Sequence, residues 1–548
     1  MLWFCLHAKT QNYVKTGDSC YNLKNYSCAA LNFESYLEKM DPESNGIAYR
    51  AAKSWALAGE REKTFIALVR YIKNNALNNY IFFSNELENE KGFDFIKSDS
   101  RWADLLQRVK RVEAEKRRKD KAAFDSAIAV SDLFFGALDI RSQLTGSKAS
   151  RYSFTQLQKS LFYRSPTAYL TNKGICLFIK IDNTPVPFYV HFPENYNPAL
   201  PNPMLVVLHG AVRINKSYGL PDQSPLVYGM TSKHIPAYTK NYITVYPMGI
   251  DTLNWMNTKK GFDMVNMIVI KLKSCLNIDD NRIELLGHSN GATGVFTYLV
   301  KSPSLYAGFY GMNTRPKVFI GGTFLRNGKN RHFYNFATDK DYYFPIAAVN
   351  TMDSLERSLG VNWHTQLNTG YPHWFPNMKE SFAPMATIFE DMSTRVRDPY
   401  QKELYWETDD INYGTSDWIS ITSLDTLSKM SAWQQQFNFI ISEWPDNVNF
   451  NKVVYRNEMA FDYPKRSGAV KAKREGNTFH IETSDVSAIT IRLNREMINY
   501  SKKITIYING QKMYDQKLQP DKEYMLDNFK LQMDRKAIWE NELRFTVK

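Results

Sequence analysis

Arg282-Ile-Glu-Leu-Leu-Gly-His-Ser-Asn-Gly-Ala-Thr-Gly-Val-Phe296 is the stretch that decides the fold. A short apolar run, Ile283, Leu285 and Leu286, enters a Gly-x-Ser-x-Gly turn and leaves it as a helix. The run is too short for a helix and is bounded by turn residues, so it reads as a strand. A serine at the tip of so tight a strand-to-helix turn has its hydroxyl pushed outward and its backbone strained, which makes Ser289 a candidate nucleophile. The neighbours must then be small, as Gly287, Gly291, Ala292 and Gly294 are. A helix N-cap is the plain alternative for a serine in this place.

In the α/β-hydrolase order, an acid and then a histidine follow the serine. The segment Arg331 to Pro345 reads as an aromatic strand ending in Asp339 and Asp341; Asp341, with Pro345 four residues on, is preferred as the acid. A helix over Ile346 to Leu359 and a strand over Asn362 to Leu367 lead to Thr369-Gly-Tyr-Pro-His373-Trp374, which offers His373 as the base, with His364 the less favoured candidate. Two backbone N–H groups are needed for a developing oxyanion. Asn290, directly after the serine, supplies one, and the loop after the buried run Met204 to Leu208 supplies the other, from Ala211 or failing that Val212. His209 and His288 read as structural. Trp374 and Trp255 are candidates for stacking on a sugar or aromatic acyl group, core packing being the other reading for both.

The series Leu208-His-Gly210, Tyr246-Pro-Met-Gly249, Asp280-Asn-Arg-Ile283, Gly287-His-Ser-Asn-Gly291, Asp341-x-x-x-Pro345 and Gly370-x-x-His373 resembles the polyhydroxybutyrate-depolymerase and feruloyl-esterase branch of the α/β-hydrolases, over about residues 170 to 395. The resemblance implies a mostly parallel twisted sheet with helices on both faces. It also implies a serine esterase in which His373 deprotonates Ser289, Asp341 orients the imidazole, and Ala211 and Asn290 hold the oxyanion. Esterified polysaccharide or another bulky acyl ester is the implied substrate. A peptidase of prolyl-oligopeptidase type and a non-catalytic hydrolase-scaffold binding protein are the alternatives.

Length and composition bound the rest. At 548 residues the chain is too long for one core. The expected organisation is multidomain α/β: a helical region over 1–125, a linker over 126–165, the hydrolase over 166–395, a connecting segment over 396–450 and a β-sandwich over 451–548. The hydrolase sheet should open with a hairpin, Gly174 to Lys180 and Val186 to Phe192, turning at Asp182-Asn183. The sandwich rests on alternating runs after residue 450 and on Asn509-Gly510, a strong hairpin signal. Tyr13, Gly17, Tyr21, Tyr26, Ala29, Phe33, Tyr36 and Pro42 resemble one tetratricopeptide repeat, and Tyr49 to Tyr71 a second. This region is therefore a candidate docking surface for a protein partner.

The formal charge of +13 is spread along the chain, and its one dense run, Arg108 to Lys121, also holds acids, which argues against a nucleic-acid groove. No run of about 20 apolar residues suggests a transmembrane span. Cysteines at 5, 20, 28, 176 and 275 give neither a metal spacing nor an even disulfide set, and no metal or cofactor is expected. Met1 to Ala8 reads as the tail of a signal peptide or as a buried first helix. Export to the periplasm or medium is therefore the expected location, with the cytoplasm left open.

Overall fold

The computed structural model describes residues 13–77, 83–145, 151–170, 174–213, 217–218, 232–425, 427, 429–449 and 452–547. The expectation made for Met1 to Ala8, Cys5 included, lies outside them. The chain divides into two compact units, Met1–Asp125 and Ser126–Lys548.

The first unit is helical, with helices over residues 13–22, Tyr26–Lys39, Asn45–Leu57, Arg61–Leu77 and Phe83–Asn89 and the first part of Ser100–Leu138. Ala29, Ala30, Ala48, Ala51 and Ala52 are fully buried beside Phe33, Trp55 and Leu68. Small residues at helix crossings leave room for these larger side chains to interlock. Cys20 and Cys28 form a disulfide with Cα atoms 5.7 Å apart, a pairing that an odd cysteine count had not suggested.

The second unit is mixed α/β. Its large sheet has eight strands: β1 Gly174–Ile181, β2 Thr184–His191, β3 Asn202–Leu208, β4 Ile243–Pro247, β5 Ile278–His288, β6 Gly308–Met312, β7 His332–Lys340 and β8 Trp363–Pro372, in the order β1-β2-β4-β3-β5-β6-β7-β8. β1, β2 and β4 pair antiparallel, and every pair from β4 to β8 is parallel. Asp182 and Asn183 have φ of 48° and 65°, the left-handed pair that a two-residue hairpin turn requires. The central strands are apolar on both sides because both faces are covered. Helices Lys259–Lys273, Asn290–Lys301 and Ile346–Leu359 pack on one face, and helix Phe382–Thr394 on the other.

Two smaller sheets share a third core, which includes Trp406, Trp418, Phe479 and Ile491. One, in spatial order, is Gln511–Gln516, Ile504–Ile508, Thr478–Ser484, Gly468–Glu475 and Glu403–Thr408. The other is Thr415–Ser416, Ile419–Leu424, Val486–Leu493 and Asn541–Thr546. The expected boundary at residue 451 is thus corrected: the segment 396–450 supplies three of these strands, because Leu404, Trp406, Trp418 and Ile421 are apolar enough to be core. The expected linker is corrected as well. Helix Ser100–Leu138 runs past Asp125 and buries Phe134, Phe135 and Leu138 against the large sheet, while Phe154, Leu157 and Tyr163 pack on Met525 and Phe529.

Buried ion pairs fix the two smaller sheets to the large one. Arg397 bonds Asp534 at 2.8 Å, Lys273 lies 3.2 Å from Asp280 and 3.1 Å from Asp534, and Arg331 bonds Asp417 at 2.6 Å. Breaking such a buried pair leaves an uncompensated charge, which costs about 3–5 kcal/mol.

Glu284 breaks the apolar pattern of β5. It lies between Leu205 of β3 and Gly308 of β6, has no exposed surface, and neither carboxyl oxygen has a hydrogen-bond partner. Burial raises its pKa well above the usual carboxylate range. The folded protein therefore holds a proton that the unfolded chain releases above its ordinary pKa, and stability falls as pH rises. Glu284→Gln, which mimics the protonated acid, should raise the melting temperature at pH 8 by an amount equivalent to about 1–3 kcal/mol and change it little at pH 4. Thermal denaturation of both proteins across that range checks this.

Candidate active site

The site gathers at the C-terminal ends of β3, β5, β6, β7 and β8. Ser289 follows β5 with φ 58° and ψ −120°, a conformation costly for a non-glycine residue, and it precedes helix Asn290–Lys301. Its N–H donates to the Met312 carbonyl at 3.0 Å and its carbonyl accepts from Thr293 at 3.0 Å, so the strained turn is held on both sides. The glycines allow it. A Cβ on Gly291 would lie 1.9 Å from the Leu208 carbonyl oxygen, and one on Gly287 would lie 2.4 Å from the Gly291 carbonyl carbon.

His373, in the loop after β8, is 2% exposed, and its Nδ1 lies 2.7 Å from Asp341 Oδ2. Asp341 Oδ1 accepts from the backbone N–H of Tyr343 at 2.8 Å and of Phe344 at 3.2 Å, which orients the carboxylate. Asp339 instead accepts from Gly370 N–H at 2.7 Å, where the β7–β8 register is irregular, and the exposed His364 packs at a tilt against Tyr334. Of the alternatives weighed from sequence, then, the structure brings Asp341 and His373 together. His373 Nε2 is buried and makes no hydrogen bond, so Ser289 Oγ does not yet meet it.

Ala211 and Asn290 belong to the two segments that adjoin the serine. A Cβ on Gly210 would come within 3.2 Å of Ser289 Cβ, which brings the loop after β3 against Ser289, and Ala211 has φ 56°. His209 fixes this loop. Burial lowers its pKa to about 4, so the ring is neutral; Nε2 accepts from Gly249 N–H at 3.0 Å, and Nδ1 therefore donates to the Gly210 carbonyl at 2.7 Å. In a trans peptide, anchoring that carbonyl aims the Ala211 N–H the opposite way. Asn290 is the first residue of its helix, where the N–H has no intrahelical acceptor and the helix dipole favours negative charge. Val212, the fallback donor, has a fully buried side chain.

The two tryptophans part company. Trp374 is 50% exposed, beside His373, and Tyr343 joins it, with its ring 4.6 Å from His373 and 6.3 Å from Trp374. Trp255 has no exposed surface and is corrected from substrate platform to core: a Cβ on Gly294 would lie 2.3 Å from its ring, and His209 packs edge-on at 4.8 Å.

Asn313 was not legible in the sequence. It follows β6, a strand whose Gly308-Phe-Tyr-Gly-Met312 lacks the usual β-branched signal. Its side-chain amide donates to the His373 carbonyl at 2.7 Å and its Oδ1 accepts from Thr338 at 3.1 Å. His288 Nε2 lies 3.0 Å from the same carbonyl and donates to it; burial keeps this ring neutral, its pKa lowered to about 3. Residues at the ends of β5 and β6 thus clamp the His373 carbonyl, with Thr338 of β7 holding Asn313 in place. Among the described residues no cluster of three or more His, Cys, Asp or Glu could hold a metal, and no helix is long and apolar enough to cross a membrane.

No protein-family model and no curated protein sequence matches this chain. Among solved structures, a thermostable esterase aligns with 41% of this chain and 64% of its own, under two thirds of its length, at 19% identity and a TM-score of 0.33. Esterase 2 from the planctomycete Thermogutta terrifontis aligns with 40% of this chain and 90% of its own, at 12% identity and a TM-score of 0.32. Likenesses of this strength carry no weight for function.

If the clamp matters for activity, Asn313→Ala should lower kcat by about tenfold on any substrate whose turnover depends on Ser289, with KM changed less than about threefold. His288→Gln, which keeps a donor toward the carbonyl, should lose less than His288→Ala. Steady-state kinetics, with melting temperatures as the folding control, distinguish these outcomes.

Proposed function

We propose that the second unit is a serine hydrolase of α/β-hydrolase type that cleaves carboxylic esters through an acyl-enzyme. The observation that carries this reading is the buried His373–Asp341 hydrogen bond, formed beside a serine held at positive φ between two candidate oxyanion donors. Fold alone does not determine function, so the reading rests on the site.

In this scheme Ser289 Oγ rotates onto His373 Nε2, the unpartnered nitrogen, as substrate enters; such bonds are often unformed before substrate binds. His373 takes the serine proton during attack on the acyl carbonyl, and Asp341 stabilises the imidazolium. The Ala211 and Asn290 N–H groups receive the tetrahedral oxyanion, each worth about 3–4 kcal/mol in comparable sites. His373 then protonates the leaving alcohol, and water repeats the sequence in reverse to free the acid. His209 and His288 remain neutral in the working range, so neither competes as base. Trp374 and Tyr343, each at least 40% exposed, would flank a bulky or sugar-linked acyl ester.

Ser289→Ala should lower hydrolysis of p-nitrophenyl butyrate by at least about a thousandfold, with the melting temperature kept or raised. His373→Gln should lose a similar amount. Equal turnover by wild type and Ser289→Ala would overturn the proposal.

A further inference from the structure

Three cations gather on one ring near the oxyanion loop. Arg213 Cζ lies 5.4 Å from the centroid of Phe319, Arg315 Cζ 5.2 Å and Lys317 Nζ 5.7 Å. Like charges so close need counter-charge, and two carboxylates provide it unevenly. Glu458 lies 2.8 Å from Arg315 and 3.2 Å from Lys317, and Asp462 lies 2.9 Å from Lys317. Arg213 has no acidic partner among the described residues and is exposed. The surplus positive charge of the cluster therefore faces solvent on Arg213.

Two chain paths tie this charge to the nucleophile. Arg213 follows Ala211 by two residues, a reach of at most about 7 Å, and the adjoining Gly210 lies against Ser289. Val212 between them points into the core, which turns Arg213 outward. On the other path, Phe319 walls a cleft of about 330 Å³ together with Asn257, Lys465 and two aspartates, Asp409 and Asp410, that are neutralised by Lys301 and Lys259; Asn257 follows Met256, whose sulfur lies 3.4 Å from the Asn290 side-chain amide.

We infer that the ester substrate carries an anionic group, which the Arg213 guanidinium receives beside the oxyanion loop. The inference rests on the proposed hydrolase reading and names its substrate class. A guanidinium offers a planar fork of donors matched to carboxylate, phosphate or sulfate, and its position over the Phe319 ring holds it beside the loop after β3.

The test uses the full chain with two matched pairs of esters. Mono-p-nitrophenyl adipate against p-nitrophenyl hexanoate places the anion in the acyl part; 4-carboxyphenyl hexanoate against phenyl hexanoate places it in the leaving group. In at least one pair the wild type should favour the anionic ester in kcat/KM by about tenfold, as expected of an exposed charge-assisted contact. That ratio should fall to near one in Arg213→Gln, recover in part in Arg213→Lys, and shrink in ~0.5 M NaCl. Equal kcat/KM within both pairs, or a preference unmoved by Arg213→Gln, overturns the inference while Ser289-dependent turnover of the neutral esters leaves the hydrolase reading standing. Absence of Ser289-dependent turnover of every ester overturns both.

Discussion

The approach of helix Asn290–Lys301 to strand β3 is the constraint on which the site depends. With Gly291 against the Leu208 carbonyl, closer than any side chain allows, the chain must reverse within one residue after β5. That residue is Ser289, and the positive φ it adopts is the local cost of the reversal. The same contact fixes the height of the helix N-terminus over the sheet. The Asn290 N–H and the loop carrying Gly210 and Ala211 consequently both adjoin the serine, and the loops after β7 and β8 bring Asp341 and His373 together.

Burial does much of the remaining chemistry by deciding which groups carry charge. His209 and His288 are enclosed and neutral, so each acts as a directional hydrogen-bond donor, one toward the Gly210 carbonyl and the other toward the His373 carbonyl. The charged groups that are buried come in pairs, as Arg397 with Asp534 and Arg331 with Asp417, and they pin the two smaller sheets to the large one. A separate two-stranded sheet, Ile440–Asn449 and Lys452–Met459, and the segment after it supply Glu458 and Asp462 to Arg315 and Lys317, so this ribbon shapes the electrostatics around those two cations.

What could be read from sequence followed local physics. The helix Ile346–Leu359 and the hairpin turns at Asp182-Asn183 and Asn509-Gly510 were legible because periodicity and turn chemistry are local signals. The preference for Asp341 over Asp339 depended on spacing along one loop, and the geometry brings Asp341 to His373. Strand β6 and Asn313 escaped because Gly308 and Gly311 remove the strand signal, and the role of Asn313 exists only once β5, β7 and β8 surround it. Trp255 looked available because a tryptophan near a catalytic loop is equally suited to stacking or packing; the space left by Gly249 and Gly294 decides for packing. The segments over 126–165 and 396–450 read as connections because their apolar residues are scattered. The partners of the first, such as Met525 and Phe529, lie hundreds of residues away, and those of the second, such as Phe479 and Ile491, lie on later strands.

The measurement that tests the central claim most directly is reaction of the intact protein with a fluorophosphonate, followed by peptide mass spectrometry to locate the adduct. A single stoichiometric adduct on Ser289, blocked by Ser289→Ala and slowed by His373→Gln, is expected. No adduct, or one on another residue that persists in Ser289→Ala, would contradict that claim.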